Sequence, residues 1–257
     1  MKINYASTSQ TGARESNQDE TGARVGERCA CFLVCDGVAG TAGGEQAARI
    51  ARDVLLEHID DRPFTACDSK TWVEHAEQAI RQAQKINLNF ERMSTTLAAL
   101  FIDRDRQLAW WAHAGDSRIY HFRRGFIHSV TRDHSLAQQL KDAGVDNTGI
   151  NSNLLYNALG AEGTQPVSYS EVMPLEDGDV FLVCTDGFWC NLQPGEMEQA
   201  LRMVSSPQEW LALMQKAINR SEKKDNLSAV AVWVGSPQDT TLLQSMADSA
   251  RFLPSRD

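Results

Sequence analysis

The chain has no long apolar run, no surplus of basic charge and no regular pattern of cysteines. No stretch approaches the roughly 18 apolar residues that span a bilayer, and "MKINYASTSQTGARESNQD" at the amino terminus has no apolar core of a secretory signal. A cytoplasmic protein without a membrane anchor is expected. The 25 basic side chains are outnumbered by 34 acidic ones, a net charge of −9. Such a surface argues against non-specific binding to nucleic acid or anionic lipid, whose phosphates need basic patches. Cys29 and Cys31 have one residue between them and no matching Cys or His pair elsewhere, which speaks against a zinc knuckle. Four of the six cysteines lie in or beside apolar strands, as reduced core residues do. No HExxH spacing is present, so a zinc hydrolase has little support, and the glycines after Asp36 match neither GxGxxG nor a G-K-[ST] phosphate loop. Repeats and Pro/Ser linkers are also missing. One domain over 1–235 is expected, with 236–257 a peripheral tail that has room for one more helix.

Short β-branched or aromatic runs predict strands at 2–9, 20–25, 29–36, 95–102, 107–114, 117–123, 126–130, 167–173, 179–185 and 227–234. Helical periodicity appears at 44–59 and at 70–92, the latter placing Trp72, Ala76, Ala79, Ala83, Ile86 and Phe90 on one face. It returns at 195–204 and at 207–220, where Ser206, Pro207 and Glu209 make a start signal. A shorter helix is expected within 133–143. Helices inserted in pairs among ten strands predict an α+β fold of packed sheets flanked by helices.

The stretch "FLVCDG" at 32–37 returns as "FLVCTDG" at 181–187. Asp-Gly is a favoured hairpin dipeptide, but each copy here leads toward a helix, not into a second strand. Asp116 stands between two strands and Asp225 shortly before the last one. Four carboxylates at the ends of apolar strands, if they converge, must take up protons or hold cations. Oxygen-only ligation suits Mg²⁺ or Mn²⁺. The Gly37 carbonyl is a further candidate ligand, since glycine lets backbone approach a metal closely. A hairpin role for Asp116, tied to Ser117 and Arg118, is the duller reading. His134 in "TRDHS" reads as a structural hydrogen-bonding residue more than as a base.

The motifs "ARESNQD" (13–19), "VCDGVAG" (34–40), "STTLAALFI" (94–102), "HAGDSRIY" (113–120), "TRDHS" (131–135), "NALG" (157–160), "LVCTDG" (182–187) and "KKDNLSAVAV" (223–232) follow one another in this order. Over residues 2–235 the chain resembles the metal-dependent serine/threonine protein phosphatases of type 2C, in their short bacterial form. The resemblance implies a β-sandwich of two mainly antiparallel sheets flanked by pairs of α-helices. It implies two core Mn²⁺ or Mg²⁺ ions and a hydroxide, bridging them, that attacks phosphoserine or phosphothreonine directly. In that scheme Asp36 bridges the ions and the Gly37 carbonyl binds one of them, while Asp186 and Asp225 hold the other. Asp116, with Asp186, matches a third-metal site, Asp19 hydrogen-bonds metal waters, and Arg14 clamps the substrate phosphate as a guanidinium fork can.

The chain departs from the family pattern at Val38, where many eukaryotic members carry a histidine proposed as general acid. It departs again at Gln18, where an acidic residue is common, and in "GVAGTAGGE", which differs from the commoner "GMGGH". Two alternatives to an active phosphoprotein phosphatase are a catalytically weak phosphoprotein-binding relative and a small-molecule phosphomonoesterase. The resemblance also implies phosphorylated Ser/Thr proteins as partners, an opposing Ser/Thr kinase, and type VI secretion control as one setting.

Overall fold

The computed structural model describes residues 1–38, 42–60, 62–145, 154–163, 165–220 and 225–241. Gly40, the "SEKK" segment at 221–224 and the tail from 242 lie outside them. Two antiparallel sheets pack face to face. The first contains β1 (Ile3–Gln10), β6 (Arg118–Arg123), β7 (Phe126–Val130), β10 (Val180–Cys184) and β11 (Leu227–Val234), in the order β1-β11-β10-β6-β7. The second contains β2 (Asp19–Val25), β3 (Cys29–Asp36), β4 (Leu97–Asp103), β5 (Leu108–Ala114) and β8 (Ser168–Tyr169), in that order, with β9 (Met173–Pro174) also on β5. The helices α1 (Gly44–Glu57) and α2 (Ala66–Ile86) cover the second sheet, and α5 (Pro194–Met203) and α6 (Pro207–Ile218) cover the first. This is the expected α+β sandwich in four layers.

The layering explains the strand sequences. Central strands β3, β4, β10 and β11 are covered on both faces, so they read as unbroken apolar runs. Edge strand β7 alternates exposed and half-buried residues. Phe32, Leu100, Phe181 and Val232 fill the space between the sheets, while Leu33, Phe101 and Trp110 face α1 and α2.

Three expectations need correction. Helix α2 begins at Ala66, because Thr65 and Asp68 form a reciprocal capping box that extends the helix ahead of the apolar stripe. It stops at Ile86, which is 79% exposed and leaves the buried face, while Phe90 packs against the core from a separate 3-10 turn at Leu88–Phe90. The expected strand at 167–173 is the two short pairings β8 and β9. The path from Asp186 toward the expected helix is itself partly helical, a point the expectation lacked: Asp186–Trp189 form a turn, α4. The short helix expected within 133–143 is α3 (Leu136–Asp142), capped by Ser135.

At one end of the sandwich Arg123 binds Asp179 through both carboxylate oxygens, at 2.7 and 2.8 Å, and His121 Nε2 lies 3.1 Å from the same carboxylate. Burial alone would raise this carboxyl, but the hydrogen bonds from Arg123 and His121 prevail and hold it at about 2. Among the described residues no helix is long and apolar enough to cross a membrane.

Candidate metal centre

The other end of the sandwich gathers carboxylates, and strand register brings most of them there. Asp19, the first residue of β2, is the direct cross-strand partner of Asp36, the last of β3. Cys184, the last residue of β10, pairs with Arg118, the first of β6, so the segments carrying Asp186 and Asp116 leave the sheet side by side. Asp225 stands two residues before β11, beside β10. The candidates therefore come from both sheets: Asp19 and Asp36 from one, Asp186 and Asp225 from the other, and Asp116 from the turn that joins them.

Each aspartate is held by neighbours with clear roles. Thr96 Oγ1 accepts from the Asp36 N–H at 2.9 Å, Thr95 Oγ1 donates to the Asp36 carbonyl at 2.9 Å, and the Thr96 and Ser117 hydroxyls meet at 2.6 Å. Thr185 Oγ1 donates to Asp19 Oδ2 at 2.9 Å, across the two sheets. Trp189, on the same turn as Asp186, donates its indole N–H to the Asp116 carbonyl at 2.9 Å. Its ring is covered by the Arg118 guanidinium, 3.3 Å from the ring centre, and that guanidinium binds Asp133 at 2.7 and 2.8 Å. The sequence motifs contain many of these residues, but nothing in spacing alone marks them as supports.

The two Asp-Gly pairs are not hairpin turns. A Cβ on Gly37 would lie 2.4 Å from the backbone of Gly44, and one on Gly187 would lie 2.0 Å from the Asn226 carbonyl oxygen. In both places a second backbone passes too close for any side chain.

Electrostatics follow from the crowding. The Asp36 carboxyl is pushed well above its ordinary value by lost hydration, then by Asp19, Asp186 and Asp116. Asp116 is raised to about 8, by burial first and by Asp186 and Asp133 next. Asp19 is raised to about 6, by burial against the opposing hydrogen bonds it accepts. Asp186 is raised by burial and by Asp225. Repelling carboxylates held together in this way favour a cation.

One atom supports that fit directly. Asp19 Oδ1 is buried and has no hydrogen-bond donor among the described residues, although an acceptor in that position normally costs free energy unless something positive meets it. The oxygen-only donor set suits Mg²⁺ or Mn²⁺. Among the described residues no three carboxylate, imidazole or thiolate side chains close into a finished single-ion cage. Asp225 is turned onto Arg14.

Arg14 lies on the loop between β1 and β2 and binds Asp225 in fork geometry, Nε to Oδ1 at 2.7 Å and Nη2 to Oδ2 at 2.6 Å. The loop that carries it is stitched down by Asn226, whose Nδ2 donates to the Thr11 and Ser16 carbonyls at 2.8 and 2.9 Å and whose Oδ1 accepts from Gln18 N–H at 3.0 Å. Sequence reasoning gives Asn226 no role; its place directly after Asp225 is the one signal that points to it. Val38 donates its backbone N–H to Ser94 O at 3.0 Å. His134 is structural: Nδ1 accepts from Asn157 Nδ2 at 3.0 Å and weakly from Gly115 N–H at 3.4 Å, so Nε2–H donates to Ser168 Oγ at 2.9 Å.

Known proteins share the family and the fold. The sequence model of the protein phosphatase 2C family matches residues 7–234. A serine/threonine phosphatase stp from Listeria innocua is 26% identical over 231 residues, covering 85% of this chain and 90% of the relative. The crystal structure of the catalytic domain of the serine/threonine protein phosphatase PstP in complex with two manganese ions superposes with a TM-score of 0.79 at 26% identity, covering 91% of this chain and 99% of that one. PppA, a regulatory component of type VI secretion in Pseudomonas aeruginosa, shares the fold with a TM-score of 0.74 at 24% identity, covering 90% and 97%.

Proposed function

Because this chain belongs to the protein phosphatase 2C family, we propose that its strand-end aspartates and Arg14 work together in hydrolysing phosphoserine and phosphothreonine on proteins. The chain is a metal-dependent phosphoprotein phosphatase; the assignment of individual residues is our reading. Asp36 and the Gly37 carbonyl would hold one side of a two-ion centre, Asp186 and Asp225 the other, with Asp116 and Asp186 available to a third ion. Bound divalent ions supply neutralisation of the phosphate dianion and a water acidic enough to attack at neutral pH. Asp19 orients water at the centre through its unpartnered Oδ1. Arg14 leaves Asp225 to receive two phosphate oxygens in the same fork geometry. The protein's part is then positioning and electrostatics, with no covalent phosphoenzyme. The Val38 side chain offers no proton, so a water held at the centre would have to protonate the departing alkoxide.

The observation that carries this reading is the set of carboxylates from both sheets with a buried, donorless Asp19 oxygen among them. Phosphothreonine-peptide hydrolysis tests it with Mn²⁺, with Mg²⁺ and with chelator, beside an Asp36→Asn variant. Activity that needs the metal and is lost in the variant supports it. Wild-type protein that binds metal and phosphopeptide without turnover would instead favour the phosphoprotein-binding alternative. Preference for sugar or nucleotide phosphates over peptides would favour the small-molecule one.

We take residues 1–235 as the phosphatase domain. Its opposing partner is a Ser/Thr kinase, recognisable as the one whose products accumulate when the phosphatase is removed and idle when it is not. A type VI secretion circuit is one setting for that pair, and unchanged secretion in a deletion strain would dismiss it. We place the protein in the cytoplasm, since Cys29, Cys31, Cys35 and Cys184 are buried free thiols that suit a reducing compartment. Recovery in another cell fraction would overturn that placement.

A further inference from the structure

Helix α2 meets residues 157–163 and 165–169 as a jaw closed at one end and open at the other. At the closed end three α2 side chains grip the backbone. Glu77 Oε2 accepts from Gly160 N–H at 2.7 Å, Arg81 donates to the Ala161 carbonyl at 2.6 Å, and Gln84 donates to the Gly160 carbonyl at 2.7 Å. At the open end lies a cavity of about 440 Å³, lined by Val73, Glu74 and Gln78 on one side and Leu159, Val167 and Tyr169 on the other. That volume is in the range of small-molecule sites.

The lining chooses among ligands. Among the described residues no lysine, arginine or histidine lines the cavity, and its charged lining groups are the carboxylates of Glu74 and Glu77. Glu77 is already engaged by Gly160 and Arg81, whereas exposed Glu74 has no hydrogen bond or ion pair among the described residues. The Tyr169 ring carries the Lys70 ammonium, Nζ 5.1 Å from its centre, so the ring suits a cation and a ligand ammonium would take the place of Lys70 there. Val73, Leu159 and Val167 offer surface to an apolar body.

The floor of the cavity leads to the metal centre by two routes. Leu159 exchanges backbone hydrogen bonds with Thr95 at 2.8 and 3.0 Å, and Thr95 pairs in turn with Gly37 and donates its hydroxyl to the Asp36 carbonyl. Asn157 donates to His134, which accepts from the Gly115 N–H beside Asp116. A ligand in the open half of the jaw therefore bears on the segments that place Asp36 and Asp116.

We propose that this cavity is an effector site for a small organic cation, an ammonium carried on an aromatic or alkyl body, and that its occupancy tightens metal binding. The coupling rests on the roles proposed for Asp36 and Asp116; binding itself is read without metal or phosphopeptide, so a failure there leaves those roles untouched. The probe is 2-phenylethylammonium, titrated into the metal-free full chain while the methyl resonances of Val73, Leu159 and Val167 are followed. 2-Phenylethanol and 3-phenylpropionate serve as neutral and anionic comparators. Saturable shifts are expected for the ammonium, affinity about fivefold weaker for the alcohol or in Glu74→Gln, and none for the carboxylate. Gln78→Trp, at an exposed position on the rim, abolishes the shifts without disturbing the core. Calorimetric Mn²⁺ titration with the probe bound is expected to show an affinity about fivefold higher, matched by the same gain in probe affinity when Mn²⁺ is present. Equal binding of all three probes, shifts that survive Gln78→Trp, or an Mn²⁺ affinity unmoved by bound probe would each overturn the proposal.

Discussion

Trp189 and Asp116 are joined by a single hydrogen bond, indole N–H to backbone carbonyl at 2.9 Å, which ties the turn carrying Asp186 to the turn between the two sheets. The indole is fixed from above by Arg118. Outer partners of this kind set metal affinity as much as the ligands do. Trp189→Phe keeps the ring and removes the donor. We expect Mn²⁺ affinity to fall about tenfold with a stability cost of about 1 kcal/mol. Calorimetry on metal-free protein checks it, and an unchanged isotherm would mean that Asp116 is placed without help from the indole.

Arg14 binds Asp225 in this structure, and in the proposed scheme phosphate competes with Asp225 for it. Releasing Asp225 should make it a freer ligand. Arg14→Ala is therefore expected to bind Mn²⁺ a few-fold more tightly in the absence of substrate, while KM for a phosphopeptide rises about tenfold or more from loss of the fork contact. Opposite signs in the two measurements are the signature. Weaker metal binding in the variant would show that the arginine supports Asp225 instead of competing for it.

The raised carboxyls set a pH dependence whose sign is unusual for aspartates. Asp19 near 6 and Asp116 near 8 bind protons more tightly folded than unfolded, where the ordinary value is 3.8. Their contribution is fully present below the unfolded value and is lost as pH rises through the folded ones. Metal-free protein should lose thermal stability between about pH 5 and 9, and saturating Mn²⁺ should flatten or reverse the trend. Mn²⁺ binding near neutral pH should also release protons, measurable as a dependence of binding heat on the buffer's ionisation enthalpy. A midpoint that climbs with pH in chelator would contradict these assignments.

Glycines 187 and 195 make a matched pair of tests. Gly187→Ala would drive a methyl into the Asn226 carbonyl, whereas Gly195, in the first turn of α5, has nothing within 4 Å. The first change is expected to cost about 2 kcal/mol or more and to weaken metal binding, because Asn226 and Asp225 must shift. The second should be neutral or stabilise by up to about 1 kcal/mol. Thermal or urea unfolding separates them, and similar midpoints for both variants would remove the close-approach argument.

Much of this is legible in the residues. Doubly covered strands such as β3 and β11 declare themselves as unbroken apolar runs with a carboxylate nearby, so the chain alone marks Asp36, Asp186 and Asp225 as strand-end groups. Register is not legible in the same way, and it is register that sets Asp19 opposite Asp36. The start of α2 escapes a search for apolar spacing because its signal is the local exchange of hydrogen bonds between Thr65 and Asp68. Turn α4 escapes it because four residues are too few to show a period. The supports, Thr185, Trp189 and Asn226, act through backbone and side-chain contacts between segments far apart in the chain. Such contacts leave no trace in spacing.

The carboxylates at the candidate centre belong to different sheets, whereas at the other end Arg123 of the first sheet binds Asp179 and also donates to the Pro174 carbonyl of β9, on the second sheet, at 3.3 Å. The structure is thus a clothes-peg, sprung at one end and fastened at the other. Like charges disfavour closing the open jaws, and a divalent ion held between them would pull them shut. Chelation is then a mechanical event as well as a chemical one. The residues fitted to hold the ions also hold the two halves of the fold together, so a lineage that relaxed its grip on metal would loosen its own architecture at the same place.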